Sequence, residues 1–224
     1  KLDRTVSIDL EEILEIEIST YTNNLYVLGR NQNNENELIK IDLMKNYIKL
    51  NEPKETITKI SVSNKYGVLF IESLDDSQKK RIAMHNNDRR ILVSNEPNMV
   101  LLNCSDNFLY IGRLDDGYLT EIYLNTIDKE IMQMNSNNRS LIWQGRILFE
   151  EVKYINCIDS ILLLINFNSL YIFEPNGKFK KLKLNNIIVP PSTRLMYLEL
   201  ITGEAETRYY WRSIPISPSS GGKN

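Results

Sequence analysis

The feature that most constrains this chain is self-similarity: short apolar strands and polar turns recur at intervals of about forty residues. The segment Thr20–Arg30 (TYTNNLYVLGR) and the segment Cys104–Arg113 (CSDNFLYIGR) both read as a strand end, a polar turn and a second apolar strand. Each is followed by a polar loop and an alternating strand, Leu38–Leu43 in the first case and Tyr118–Leu124 in the second. The pattern returns at Ser63–Ile71 and at Cys157–Ile165, and a fifth unit runs from Leu195 through a Gly203 turn to Arg212. With Leu25, Val68, Leu109, Leu162 and Leu195 as anchors, the spacings are 43, 41, 53 and 33 residues.

Within the units the periodicity is that of strands. Leu14, Ile16 and Ile18 alternate with Glu15 and Glu17, which predicts a strand whose glutamate side is the wet face. Leu170–Phe173 and Lys178–Leu182 flank Pro175-Asn176-Gly177, and an Asn-Gly pair between apolar runs predicts a hairpin with a type I′ turn. One such sheet is marginal alone, and radial stacking covers its apolar face and shortens its exposed edges. The expected fold is therefore all-β: a β-propeller or partial propeller of about four to five blades over residues 1–213, with a flexible tail at residues 214–224. A β-sandwich or β-solenoid is the alternative. The chain begins at Lys1 and not at a methionine, and reads as a piece of something longer.

These repeats resemble the degenerate β-propellers, WD40-like domains and the propellers of DNA-damage-binding and polyadenylation-factor scaffolds among them. The resemblance is one of architecture and spans roughly residues 14–213. The Gly-His and Trp-Asp signatures of WD40 repeats and the Ser-x-Asp-x-Gly box of sialidases are missing from the sequence. No functional residue carries over from those families.

Composition narrows the chemistry. Lys and Arg number 27 against 29 acids, a formal charge of −2, which argues against nucleic acid as the main ligand. Lys79-Lys80-Arg81 and the group Lys178, Lys180, Lys181, Lys183 are local basic patches that read as solvated faces. The longest apolar run, Ile161–Ile165, is strand-length, so no membrane span is expected. The single histidine, His85, lies beside Asn86, Asn87 and Asp88 and reads as solvated; no nucleophile motif points to it. Cys104 and Cys157 lack metal-site spacing. Each lies five residues before its anchor, matching Thr20 and Ser63, and reads as a small residue in a packing slot of a reducing compartment. Asp75-Asp76 and Asp115-Asp116 fit hairpin turns, and Glu11-Glu12 and Glu150-Glu151 complete the acidic pairs. No cofactor or metal site is expected. Two sequons, at Asn103 and Asn138, arise easily by chance in so Asn-rich a chain.

The candidate contact site is Arg208-Tyr209-Tyr210-Trp211-Arg212, because Tyr, Trp and Arg dominate interface hot spots. The functional expectation is a non-catalytic scaffold or adaptor that binds protein partners inside the cell as part of a larger complex. The alternatives are a glycosidase-type propeller using paired carboxylates and a lumenal or extracellular sensor.

Overall fold

The computed structural model describes residues 8–42, 47–50, 55–86, 89–127, 139–183, 196–202 and 207–213. Its chain falls into two units, Lys1–Leu184 and Asn185–Asn224. The first carries four sheets of four strands each. Blade 1 is β1 (Glu12–Ser19), β2 (Asn24–Arg30), β3 (Asn36–Asp42) and β4 (Tyr47–Leu50). Blade 2 is β5 (Thr56–Ser63), β6 (Val68–Leu74), β7 (Lys80–Asn86) and β8 (Arg89–Ser94). Blade 3 is β9 (Met99–Cys104), β10 (Phe108–Asp115), β11 (Tyr118–Thr126) and β12 (Arg139–Leu148). Blade 4 is β13 (Tyr154–Ile158), β14 (Ile161–Ile165), β15 (Ser169–Phe173) and β16 (Phe179–Lys183).

Every blade is an antiparallel meander in chain order. The first strands come together at the inner side: β1 packs on β5, β5 on β9 and β9 on β13. This is a four-blade β-propeller arrangement, as the repeat spacing predicts. The second unit contains one antiparallel hairpin, β17 (Met196–Thr202) with β18 (Thr207–Ser213), where the fifth sequence unit falls.

Between successive blades, a leading face of one packs on a receiving face of the next. Tyr26, Leu28 and Leu38 of blade 1 meet Ile57, Ile60, Val62, Leu69 and Ile71 of blade 2. Val68, Phe70, Ile82 and Met84 of blade 2 meet Met99, Leu101, Leu109 and Ile111 of blade 3. Blade 3 in turn sends Val100, Leu102, Tyr110 and Ile122 against Leu162, Leu164, Tyr171 and Phe173 of blade 4. Both faces of an inner blade are thus apolar, which is why Val68–Ile71 is a continuous buried run and does not alternate.

The register sharpens the repeat. Ile18 pairs with Leu25, Val62 with Leu69, Cys104 with Leu109 and Cys157 with Leu162. The blade-2 anchor is therefore Leu69, where the sequence suggested Val68, and the counterparts of the two cysteines are Ile18 and Val62, where it suggested Thr20 and Ser63. The slip comes from turn length: blades 1 and 2 close this hairpin over two more residues than blades 3 and 4 do.

Turn chemistry also repeats. In the β2–β3, β6–β7 and β15–β16 hairpins, Asn34, Gln78 and Gly177 donate their backbone N–H to the carbonyls of Asn31, Asp75 and Glu174. All three donors have positive φ, at 60°, 59° and 83°. The Asn-Gly hairpin is thus real, but Gly177 is the left-handed residue after a Pro175-Asn176 turn; Asn176 has no positive φ, so the turn is not type I′. Two residues with positive φ occur instead at Asp116-Gly117, at 48° and 79°, and at Asp159-Ser160, at 47° and 70°. A Cβ at φ 70° is strained, so Ser160→Gly is expected to stabilise the fold by about 0.5–1 kcal/mol, read as a rise in the urea midpoint.

Polar groups at these turns tie one blade to the next. Asn64 Oδ1 accepts the Thr20 N–H at 2.9 Å, and Asp106 Oδ1 accepts the Lys65 N–H at 3.1 Å. The Tyr110 hydroxyl, on an otherwise fully buried ring, donates to the Ser160 carbonyl at 2.6 Å. The Asn and Asp that punctuate the repeats therefore act across blade boundaries as well as within turns.

Candidate functional site

Blades 1 and 2 superpose in sequence at an offset of 44 residues. Ile13, Ile16 and Ile18 of β1 correspond to Ile57, Ile60 and Val62 of β5, and both strands carry an irregularity at the same place. The β5 residues are 3%, 0% and 6% exposed because blade 1 lies on them. The β1 residues are 55%, 53% and 51% exposed. Farther out on that face, Val27, Ile39 and Ile41 are buried, with Ile8 and Leu10 packed against them. The receiving face of blade 1 thus presents an inner row of isoleucines to solvent.

This reverses the expectation for β1. Glu15 and Glu17 are the half-buried residues, turned toward blade 2, and the isoleucine side is the wet one. The physical reason is a backbone donor. β5 is the edge strand of its sheet, and its Ile60 N–H donates to Glu15 Oε2 at 2.8 Å. Blade 3 repeats the device: the Leu101 N–H of edge strand β9 donates to Glu72 Oε2 at 2.7 Å.

The inner strands gather the titratable groups. Burial pushes the Glu17 carboxyl up to about 8, helped by the neighbouring Glu15 charge and opposed by Lys59. Burial also raises Glu15 and lowers Lys59. Cys104 and Cys157 are free thiols. Both are pushed up by burial, which keeps them protonated and poorly nucleophilic. Ser61 Oγ accepts the Cys104 N–H at 2.9 Å and lies 3.1 Å from its Sγ. Both cysteines line an inter-blade depression of about 400 Å³ with Asp106, Asn107 and Asp159.

Glu17 makes stability depend on pH. Its folded pKa exceeds its unfolded value, so the folded state holds more protons between about pH 4.5 and 8, and stability falls as pH rises through that window. Glu17→Gln is expected to be near neutral at pH 5 and to stabilise by about 1–3 kcal/mol at pH 8.5. Urea denaturation at the two pH values checks this; equal effects at both would contradict it.

The other sequence candidates fall as follows. His85 lies inside β7, half-buried and paired across the sheet with Leu69 and Arg90, where its polar neighbours in sequence suggested a solvated side chain. Asp75 Oδ1 accepts the Ser77 and Lys79 N–H groups, and Asp116 sits in its turn, so these acids have turn duties. Asn103 is 6% exposed, so its sequon is unavailable to a glycan; Asn138 lies outside the described residues. Arg208, Tyr209, Tyr210, Trp211 and Arg212 all lie on β18, with Tyr209 opposite Leu200 and Trp211 opposite Leu198, while their side chains lie outside the description. Trp143 packs edge-on against Phe173 at 5.4 Å, binding the outer strand of blade 3 to blade 4. Among the described residues no group of three or more His, Cys, Asp or Glu side chains could hold a metal ion, and no helix is long and apolar enough to cross a membrane.

No family model matches the chain, and no curated protein does. Solved structures do. The chain is similar to an uncharacterised protein of Listeria monocytogenes at 17% identity and a TM-score of 0.49, over 77% of this chain and 53% of that one. It therefore spans about half the length of the Listeria protein. It is similar to the β-propeller domain of the Trilobed protease of Pyrococcus furiosus, described as having an open velcro topology, at 12% identity and a TM-score of 0.49, over 90% and 68% of the two chains. It is also similar to PorZ, a surface component of the type-IX secretion system of Porphyromonas gingivalis, at 9% identity and a TM-score of 0.36, over 92% and 39%.

Proposed function

We propose that this propeller is a non-catalytic protein-interaction scaffold, a subunit of a larger complex, and that the receiving face of blade 1 docks an antiparallel β-sheet of a partner polypeptide. The observation that carries the reading is the row Ile13, Ile16 and Ile18, half-exposed where the same row on blade 2 is buried under a neighbouring sheet. The receiving faces of blades 2, 3 and 4 are each occupied by an apolar sheet face, so the shape and chemistry of blade 1 suit an occupant of that kind. Glu15 is spent on the Ile60 amide, which favours a structural role for the inner carboxylates over glycoside chemistry. Two free, protonated thiols fit a reducing intracellular compartment. The Arg208–Arg212 stretch is a second proposed contact surface, to be tested by Trp211→Ala with Arg212→Ala.

The test places a photo-crosslinking amino acid at Ile16 in the full chain and maps its adducts in the native cell. Adducts on a β-strand of another polypeptide, lost when Ile18 is changed to lysine, are the expected result. Adducts confined to this chain, in cis or in a second copy, would overturn the proposal.

A further inference from the structure

One end of blade 2 gathers positive charge on a chain whose net charge is −2. Lys79, together with Lys80 and Arg81 at the start of β7, meets Arg90 of β8 around a cavity of about 510 Å³, with Asp75 as the acid in its wall. Three nearby residues are consecutive in sequence; the fourth arrives only through the β7–β8 pairing, which sets His85 opposite Arg90.

The guanidinium groups are held from behind. Glu55, whose side chain is 7% exposed, accepts Arg81 Nη1 at 3.0 Å and a short hydrogen bond from Arg90 Nη2. The same carboxylate accepts the Ser73 hydroxyl at 2.6 Å. Bonding to these donors keeps the Glu55 pKa low against the effect of its burial. Arg81 Nη2 also reaches Asp75 Oδ2 at 3.0 Å, leaving three of its five N–H donors for other partners. Lys80 leans on Glu72 at 3.4 Å. Among the described residues Lys79 makes no ion pair, and the Glu55 and Glu72 carboxylates lie buried behind the wall.

Two forks fixed by one buried carboxylate, flanked by two ammonium groups around a pocket of this size, suit a compact ligand with several negative oxygens. Orientation of the guanidinium groups before binding lowers the cost of ordering them. We propose that this pocket binds a phosphoryl oxyanion, as a free phosphate compound or as a phosphate ester on a peptide. The site needs no part of the blade 1 face.

The test is calorimetric titration of the full chain with inorganic pyrophosphate, then with a phosphoserine peptide and its unphosphorylated form, at constant ionic strength. Saturable 1:1 binding of pyrophosphate is expected, weakened about fivefold by Lys79→Gln and further by Lys79→Gln with Lys80→Gln. Lys79→Gln breaks no ion pair among the described residues, and its unchanged thermal unfolding would show that the fold is intact. Binding of the phosphopeptide more tightly than pyrophosphate points to a protein-borne phosphate; the reverse order points to a free one. No saturable heat with either ligand, or affinities that both lysine variants leave unchanged, would overturn the proposal.

Discussion

Replacing Ile60 with alanine is expected to cost about 3 kcal/mol of folding stability, whereas the same change at Ile16 costs no more than about 1 kcal/mol. The two residues are identical, sit at the same register position of the first strand of successive blades, and differ by the repeat offset of 44 residues. Strand propensity therefore cancels in the comparison. What remains is the neighbour: Ile60 is fully buried beneath Tyr26, Leu28 and Leu38, and Ile16 is 53% exposed. Truncating Ile60 removes buried methyl and methylene groups and leaves a cavity that two rigid sheets cannot close. Truncating Ile16 removes surface that water already wets. Urea unfolding of the two variants in parallel reads the difference directly. Equal, large losses would mean that blade 1 is covered in the isolated chain, and would remove the docking face with it.

That comparison also shows what the sequence could convey. Repeat spacing and turn residues were sufficient for a propeller, because a strand of seven or so residues followed by Asn, Asp or Gly turns has few other ways to bury its apolar side. Which residues share a face was legible as well: Ile16 with Ile18, and Glu15 with Glu17. Which face meets a neighbour was not. In a stacked blade both faces are covered, so polarity alone does not choose between them, and Glu15 turns inward to accept the Ile60 amide N–H. The cysteine counterparts were misplaced because hairpins of unequal length were aligned by counting back from an anchor, while the pairing of Cys104 with Leu109 and Val62 with Leu69 aligns them by contact. The cationic pocket was half visible. Lys79-Lys80-Arg81 stands out as a run, but Arg90 and Glu55 join it only through strand pairing and burial, which leave no local signal in the chain.

Glu72→Ala is expected to destabilise the protein by about 2–4 kcal/mol, with Glu72→Gln costing about half as much. Glu72 is 6% exposed on β6, in the middle of blade 2. Its two oxygens serve three donors: the Leu101 N–H of blade 3 at 2.7 Å, the Thr58 hydroxyl at 3.0 Å and Lys80 Nζ at 3.4 Å. The Leu101 amide belongs to the free edge of β9 and lies among buried aliphatic side chains, where an unpaired N–H has no water to turn to. Alanine strands that amide, whereas the exposed Thr58 hydroxyl keeps the carbonyl of residue 72 at 3.3 Å and solvent as partners. Glutamine keeps one acceptor oxygen for the amide and loses the charge that Lys80 leans on. Lys80 is itself partly exposed and can turn to solvent, so most of the loss resides in the backbone amide. Hydrogen exchange separates this account from a general loosening. In the Glu72→Ala variant the Leu101 amide should lose protection well beyond the change in global stability, while amides of blade 1 follow the global value. Uniform loss of protection across all four blades would show that Glu72 acts through packing, not as the acceptor that joins blade 2 to blade 3.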